Sequence, residues 1–406
     1  MKKLLLSSAA IGALALVPAS ANAQVSLDIG GYVKGYAFYT DQDDDLAVAA
    51  GDAREFDIIR NSEVHLSGET TLDNGLTVGV HLEAETDGST GAPGASDSFN
   101  VEENYIYFSG DWGRVNAGSE DGAAYLLQVA TPSADSNIDG IRQHVNPVNY
   151  TTVQGGAVPA GAALTGLAVA GVAADGVDYD QDVTRTTDKL TYLSPVFNGF
   201  QLGLSYTPDV AGASTEDALN LDDVDGAFGE SYEAAARYEG QFNNVGVIIG
   251  AGYTHVEEES PITQAAGTIT DDRTAWNAGI DLDIGPFGVG VAYMEDDFGD
   301  VGASATTERD EEETLVIGVD YTTGPFKLGA SYLDQDGTNN ISGLTGTDGI
   351  ETQRYTGGVV YTYGPGMTFR GSVSYIEHDN VAGTVLGAGN DSVDATSVTV
   401  GTQINF

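Results

Sequence analysis

Histidine and glutamate residues in the first quarter of the chain are the first candidates for chemistry. His65 and His81 each lie two residues from a carboxylate, Glu63 and Glu83 respectively. Alternation along two neighbouring strands would put all four side chains on one face. A histidine beside a carboxylate can act as a general base. No Ser–His–Asp order and no zinc-ligand spacing accompanies them, and such pairs more often line a wet surface. We therefore predict that the chain is not an enzyme.

Three aspartates at alternate positions are the candidate metal ligands: Asp178, Asp180 and Asp182. Calcium prefers several oxygen ligands, which three carboxylates could supply. The stretch lacks the glycine and the bidentate glutamate of an EF-hand loop, so a solvated acidic loop is the alternative interpretation. We predict that the protein requires no cofactor, with a structural calcium ion at these three residues as the one candidate.

The elements that must position these residues are β-strands whose two faces differ in side-chain size and polarity. In PFGVGVAYMEDD, from Pro286 to Asp297, large apolar residues between Phe287 and Tyr293 alternate with glycine and alanine. The same Phe-to-Tyr spacing recurs in FQLGLSY, FKLGASY and FRGSVSY, which start at Phe200, Phe326 and Phe369. A strand rise of about 3.3 Å per residue separates the two rings by roughly 20 Å. Aromatic girdles bound the lipid-facing band of an outer-membrane barrel at a similar spacing. The pattern favours such strands over a β-sandwich with an aromatic core.

The start of the chain is typical of an exported protein. Two lysines precede an apolar run, and the motif ANA ends at residue 23, so we predict a cleaved signal peptide over residues 1–23 and a single barrel domain over 24–406. The apolar run is short for a membrane span, and no later segment is apolar enough for a transmembrane helix. A membrane protein of this kind must therefore be a closed barrel. The formal net charge of −46 argues against nucleic acid as a partner.

Turns rich in Gly, Pro and Asn alternate with long acidic or Gly/Ser/Thr-rich connections along the remaining sequence. Seven short turns and eight long loops imply sixteen strands, with both chain ends on the side of the short turns. We predict strands at residues 25–40, 56–71, 76–87, 101–110, 113–119, 188–194, 199–208, 230–241, 245–257, 273–284, 287–297, 313–323, 326–336, 353–363, 367–378 and 392–406. The predicted fold is all-β: a 16-stranded antiparallel transmembrane β-barrel around a water-filled lumen.

Two stretches resemble the Gram-negative outer-membrane general-diffusion porins. The terminal TSVTVGTQINF is an amphipathic strand that ends at Phe406, and GRVNAGSEDGAA resembles the start of the constriction loop of that family. The resemblance in layout covers the chain from residue 24 onward. It implies an inward-folded constriction loop at about residues 120–187 and a homotrimer embedded in the lipid of a Gram-negative outer membrane. It also implies a role for Phe406 as the barrel-assembly signal. The chain departs from the family in the apolar tract over residues 155–176.

Two opposed sets of charges are expected at the constriction. Strand parity turns four basic residues into the lumen: Lys34, Arg114, Arg354 and Arg370. The facing loop carries four acidic residues: Glu120, Asp121, Asp135 and Asp139. A transverse field between the two sets would orient water and slow apolar solutes. We expect the basic set to form one wall of the constriction.

The predicted function is passive diffusion of small hydrophilic solutes and ions through the lumen. Acidic residues number 61 against 15 lysines and arginines. A negative vestibule concentrates cations and repels anions, so we expect cation selectivity. A substrate-specific outer-membrane channel is one alternative, and a structural or adhesive barrel with a blocked lumen is another.

Overall fold

The structure is a computed structural model that describes residues 25–43, 54–86, 99–148, 177–210, 227–259, 268–269, 271–299, 301–302, 311–337, 350–379 and 392–406. The predicted signal peptide and the apolar tract over residues 155–176 lie outside the described residues. Within these ranges, no helix has the length and apolar character needed to cross a membrane. The described secondary structure is almost entirely strand.

Sixteen antiparallel strands close into one barrel. In chain order they are β1 (Ser26–Gln42), β2 (Phe56–Thr71), β3 (Thr77–Glu85), β4 (Asn100–Gly110), β5 (Gly113–Ser119), β6 (Asp188–Leu193), β7 (Phe200–Thr207), β8 (Ala227–Phe242), β9 (Val245–Glu259), β11 (Arg273–Ile284), β12 (Phe287–Asp297), β14 (Glu312–Thr323), β15 (Phe326–Gly337), β16 (Ile350–Gly364), β17 (Met367–Asp379) and β18 (Val393–Asn405). The predicted strand number is confirmed, and the predicted bounds differ from these by a few residues.

Four short elements complete the described secondary structure. Strands β10 (Thr268–Ile269) and β13 (Val301–Gly302) pair with each other outside the barrel sheet, and the sequence patterns did not predict them. Helices α1 (Ala123–Leu126) and α2 (Ser136–Asp139) lie in the long connection between β5 and β6. Only this connection therefore adds helical structure to the barrel among the parts that the structure describes.

The barrel closes where the last strand pairs with the first. Tyr32 of β1 is in register with Asn405 of β18. Beyond that pair, the Gly31 amide donates to the Phe406 carbonyl at 3.2 Å, and the Phe406 amide donates to the Gly31 carbonyl at 3.1 Å. The final residue therefore adds two hydrogen bonds to the closing ladder, which leaves neither terminal strand with an unpaired edge.

The outer surface of the barrel carries an apolar band between two aromatic rows. Along β12, Phe287 is exposed on the outer face, whereas Gly288 and Gly290 are buried on the inner one. Pairs of rings join neighbouring strands in each row: Phe287–Tyr321 at 4.9 Å and Phe200–Tyr238 at 4.7 Å near the short turns, and Trp276–Tyr293 at 4.9 Å and Tyr332–Tyr355 at 4.9 Å near the other end. This arrangement confirms that the large apolar residues lie on the outer face of the barrel, the face that contacts lipid in outer-membrane barrels.

Candidate functional site

The long connection after β5 turns into the barrel at α1. The Ala123 amide donates to Ser205 Oγ of β7 at 2.8 Å, and the Ala124 amide donates to Glu233 Oε2 of β8 at 2.9 Å. Both alanines are fully buried. Backbone amides at a helix start need acceptors, and here the barrel wall supplies them. The described parts of the predicted constriction loop, residues 120–148 and 177–187, therefore lie inside the lumen.

A row of inward-facing glycines receives the loop. We call it the glycine track; its members are Gly250, Gly279, Gly290, Gly318 and Gly329, one on each of strands β9, β11, β12, β14 and β15. A Cβ atom built on Gly279 would lie 2.9 Å from Val129 Cβ, and one on Gly290 would lie 2.5 Å from Pro132 Cδ. On Gly318 it would overlap the Pro132 carbonyl oxygen. The loop backbone therefore rests directly on the backbone of the wall, which only glycine permits.

Beyond the track, α2 is fixed by a buried ion pair. Arg370 of β17 donates to Asp135 Oδ1 at 2.6 Å, and the Tyr36 hydroxyl donates to Asp135 Oδ2 at 3.0 Å. Asn137 donates to the Tyr36 hydroxyl at 2.7 Å. Asp139 is also fully buried and accepts a hydrogen bond from Ser331 Oγ at 2.7 Å. The two loop carboxylates are thus bonded to the wall.

The returning limb of the loop packs over the outgoing one. Gln128 donates to the Tyr179 carbonyl at 2.6 Å and accepts from the Gln181 amide at 2.9 Å. Gln181 Nε2 donates to Thr254 Oγ1 of β9 at 2.7 Å. Tyr179 is only 2% exposed. We call the lumen faces of strands β7 to β17, on which both limbs rest, the covered wall.

The four predicted basic residues do not form one wall that faces the loop across water. Arg354 is 2% exposed and donates to the Val177 carbonyl at 2.9 Å, so the loop covers it as it covers Arg370. Lys34 is 3% exposed, with its ammonium 3.9 Å above the Tyr32 ring. Arg114 lies on the opposite side, where it donates to Asn116 Oδ1 at 2.6 Å and stacks over Tyr107 at 3.9 Å. Parity predicted only that these residues face the lumen; the path of the loop decides how far each of them is exposed.

Three aspartates of the loop lie around an arginine that the sequence analysis did not single out. Arg142 donates to Asp180 Oδ2 and to Asp182 Oδ2, both at 2.8 Å, and lies 3.9 Å from Asp121 Oδ1. Near the start of the loop, Glu120 accepts from Asn116 Nδ2 at 2.6 Å. Arg142 is the one cation between residues 120 and 177 of the sequence, and that isolation among acids was the available signal.

The proposed calcium ligands are engaged with groups of the chain itself. The guanidinium of Arg142 lies between Asp180 and Asp182, and the Gln143 amide donates to Asp178 Oδ1. A calcium ion would compete with a guanidinium that already neutralises two of the three carboxylates. These residues, as placed, do not fit a calcium ion.

Burial shifts the protonation of this acidic cluster. Desolvation, assisted by the charge of Asp180, raises the pKa of Asp178 to about 7. Desolvation also raises the pKa of Asp182, although Arg142 opposes the shift. Burial raises the pKa of Glu120 to about 7 against the hydrogen bond from Asn116. The loop therefore gains negative charge as the pH rises through neutrality.

Strands β2 to β4 carry ionisable side chains that face the lumen. We call this group the titratable wall; its members are Glu63, His65, His81, Glu83 and Glu103. His65 Nε2 lies 2.6 Å from Glu63 Oε1, and His65 Nδ1 lies 3.3 Å from Glu83 Oε2. His81 Nε2 lies 3.5 Å from Glu83 Oε2. The histidine and glutamate residues that the sequence analysis selected are therefore brought together across two strands.

A closed sixteen-stranded barrel, apolar outside and holding a long loop against its inner wall, defines a membrane channel of the porin class. The family model for Gram-negative porins matches residues 8–381, and the chain belongs to that family. Family and fold therefore point to an outer-membrane channel protein.

Solved porin structures share this fold at low sequence identity, as three examples show. The anion-selective porin from Comamonas acidovorans aligns with a TM-score of 0.60 at 18% identity, over 94% of this chain and 100% of that one. OmpT of Vibrio cholerae in its trimer form aligns with a TM-score of 0.55 at 13% identity, over 94% and 99%. A mutant of the Rh. blastica porin aligns with a TM-score of 0.51 at 16% identity, over 94% and 100%. Among curated protein sequences, no significant match was found.

Proposed function

We propose that the protein forms a water-filled channel through which small hydrophilic solutes and ions diffuse passively across the outer membrane. The observation that carries this proposal is that the loop covers one side of the lumen more than the other. The described loop residues pack against the covered wall, whereas the titratable wall keeps accessible polar side chains, such as His65 with 32% of its side chain exposed. Polar groups that line a pore replace part of the hydration of a passing solute.

We further propose that the channel prefers cations. Two of the four basic residues assigned to the constriction are covered by the loop, and a third, Lys34, is 3% exposed. The titratable wall carries three glutamates, and carboxylates surround Arg142. A surplus of carboxylates along the lumen raises the local cation concentration. The Comamonas acidovorans porin has the same fold but is anion-selective. The fold alone therefore does not set the sign of the selectivity, and the preference of this channel needs a direct measurement.

Single-channel recording in planar bilayers tests both statements. We expect a stable conductance. Under a KCl gradient at low salt, the reversal potential should have the sign that shows potassium passing more easily than chloride. The opposite sign would refute cation preference but leave the channel intact. Absence of conductance from correctly folded protein would favour the barrel with a blocked lumen, and block by one solute at low concentration would favour a substrate-specific channel.

We also propose that the protein assembles as a homotrimer. OmpT of Vibrio cholerae has a trimer form. Strands β5 and β6 of this chain have 7 and 6 residues, which gives one low side of the barrel, and the adjacent outer face exposes Leu202 and Leu204. Such a low apolar side gains by contact with other copies.

A pair of substitutions tests the assembly. Leu202→Arg should reduce the trimer to monomers in mild detergent, as measured by native mass spectrometry. Val319→Arg, at an exposed outer position on the far strand β14, should leave the trimer intact. Monomeric wild-type protein, or equal loss in both variants, would refute this interface.

Phe406 is proposed as the barrel-assembly signal. Its backbone completes the closing ladder while its ring stays exposed on the barrel, where another protein could contact it. Phe406→Ala should lower the amount of folded protein in the outer membrane, whereas refolding of the purified chain in detergent should be unchanged. Equal loss in both assays would indicate a purely structural role.

A further inference from the structure

Three side chains of the titratable wall converge on one point of the lumen. His65, His81 and Glu83 each offer a ligand atom, and the three atoms all lie within 4.8 Å of one another. The sheet register produces this convergence, because Glu83 is opposite His65, and His81 is opposite Ser67, two residues farther along β2. Alternation predicted that these side chains share a face, but only the register between β2 and β3 brings them to one point.

The distances match the edges of a tetrahedral metal site. Zn²⁺ binds imidazole nitrogen at about 2.0–2.1 Å and carboxylate oxygen at a similar distance, so neighbouring ligand atoms of a tetrahedron lie about 3.3–3.4 Å apart. Glu83 Oε2 lies 3.3 Å from His65 Nδ1 and 3.5 Å from His81 Nε2. Two imidazoles and one carboxylate are a common zinc donor set.

The outer nitrogen of each imidazole lies beside an oxygen atom of a neighbouring side chain. His65 Nε2 lies 2.6 Å from Glu63 Oε1, and Glu63 Oε2 in turn accepts a hydrogen bond from the Tyr32 hydroxyl at 2.5 Å. His81 Nδ1 lies 2.9 Å from Ser67 Oγ. A carboxylate or hydroxyl on the outer nitrogen fixes the ring orientation and tautomer, so that the inner nitrogen can hold a metal. The inner nitrogens, His65 Nδ1 and His81 Nε2, both lie near the same carboxylate oxygen, Glu83 Oε2.

We propose that His65, His81 and Glu83 form a binding site for a divalent transition-metal ion, of which Zn²⁺ is the reference. The fourth position is open to water or to Glu103, whose Oε2 lies 3.8 Å from His81 Nε2. The exposed fraction of the His65 side chain, 32%, gives an ion access from the lumen. Hard cations such as calcium prefer all-oxygen sites, so the two imidazoles select against them.

Zinc binding to the purified full-length protein tests the proposal, and the result does not depend on conductance. After removal of metals with a chelator, isothermal titration should show one tight site per chain in wild-type protein. His81→Asn should weaken binding by more than about tenfold. His255→Asn serves as the control, because His255 lies near Asp272 at the far end of β9, outside the cluster. Absence of tight binding in wild-type protein, or equal affinity in His81→Asn, would overturn the proposal.

X-ray absorption on zinc-loaded wild-type protein gives a second test that needs no variant. The expected spectrum contains two imidazole ligands at about 2.0 Å and one or more oxygen ligands. A spectrum with oxygen ligands alone would place the ion elsewhere and refute the site.

Discussion

The covered wall and the titratable wall belong to one barrel but have opposite inner surfaces. The covered wall offers glycines at its centre, and the loop backbone rests on them; Gly290, for example, leaves no room for a Cβ beside Pro132. The titratable wall instead carries histidines and glutamates, of which His65 is the most exposed. A wall that is covered by backbone requires small residues, whereas a wall without the glycine track has room for larger, ionisable side chains. The two sides of the lumen thus differ in side-chain size as well as in charge.

The strongest test of the covered wall is the buried ion pair that fixes α2. Arg370→Met leaves Asp135, which is fully buried, without its cation. Breaking a buried pair in this way costs about 3–5 kcal/mol, so we expect the loop to detach locally and the hydrogen-exchange protection of the Asn137 amide to fall sharply.

Lys327→Met is the matched control for this variant. Lys327 lies 3.3 Å from Asp320, but 38% of its side chain is exposed. Loss of so exposed a pair should cost no more than about 1 kcal/mol and leave the loop protected. Equal loss of protection in the two variants would show that Arg370 does not anchor the loop.

The glycine track can be broken by adding a side chain under the loop. Gly318→Val inserts its branches where the Pro132 carbonyl lies, and overpacking of this kind costs about 1–3 kcal/mol. Limited proteolysis should then cleave the loop faster than in wild-type protein. Gly371→Val, where an added Cβ meets only the Thr399 carbonyl at 3.7 Å, should behave as wild type. Unchanged cleavage of Gly318→Val would mean that the loop does not rest on the track.

A change of charge on the titratable wall should alter selectivity without moving the loop. Glu103→Gln removes one carboxylate beside His81, so the reversal potential under a KCl gradient should shift toward anions. Glu239→Gln, on the covered-wall strand β8 beside Arg237, should shift it less. A larger shift from Glu239→Gln would indicate that the covered wall, and not the titratable wall, borders the ion path.

The smallest expected effect is that of pH on the acidic cluster of the loop. Asp178 and Glu120 both have a pKa raised by burial to about 7, so each is neutral in acid and becomes negative as the pH rises. Cation preference should therefore increase between about pH 6 and pH 8. Asp178→Asn should reduce this increase, measured from reversal potentials at each pH. A preference that falls over the same range would contradict the assignment.

The class of protein could be predicted from alternation because alternation is local. The face that a strand residue occupies depends only on its parity, so the outward Phe287 and the inward Gly288 and Gly290 follow from the sequence of β12 alone. The strand number followed from the turns. The two-residue strands β10 and β13 were missed because they are too short for any periodicity to register.

Parity specifies that a side chain points inward but not which inward side chains meet. Arg370 and Asp135 are 235 residues apart, and only barrel closure and the path of the loop make them an ion pair instead of charges that face each other across water. Arg142 reaches Asp180 and Asp182 because the two limbs of the loop lie together. His65, His81 and Glu83 converge because of the register between β2 and β3. The sequence by itself determined a sixteen-stranded barrel with a polar lumen; the pairing of charges within that lumen depends on long-range register and loop position, which only the tertiary structure decided.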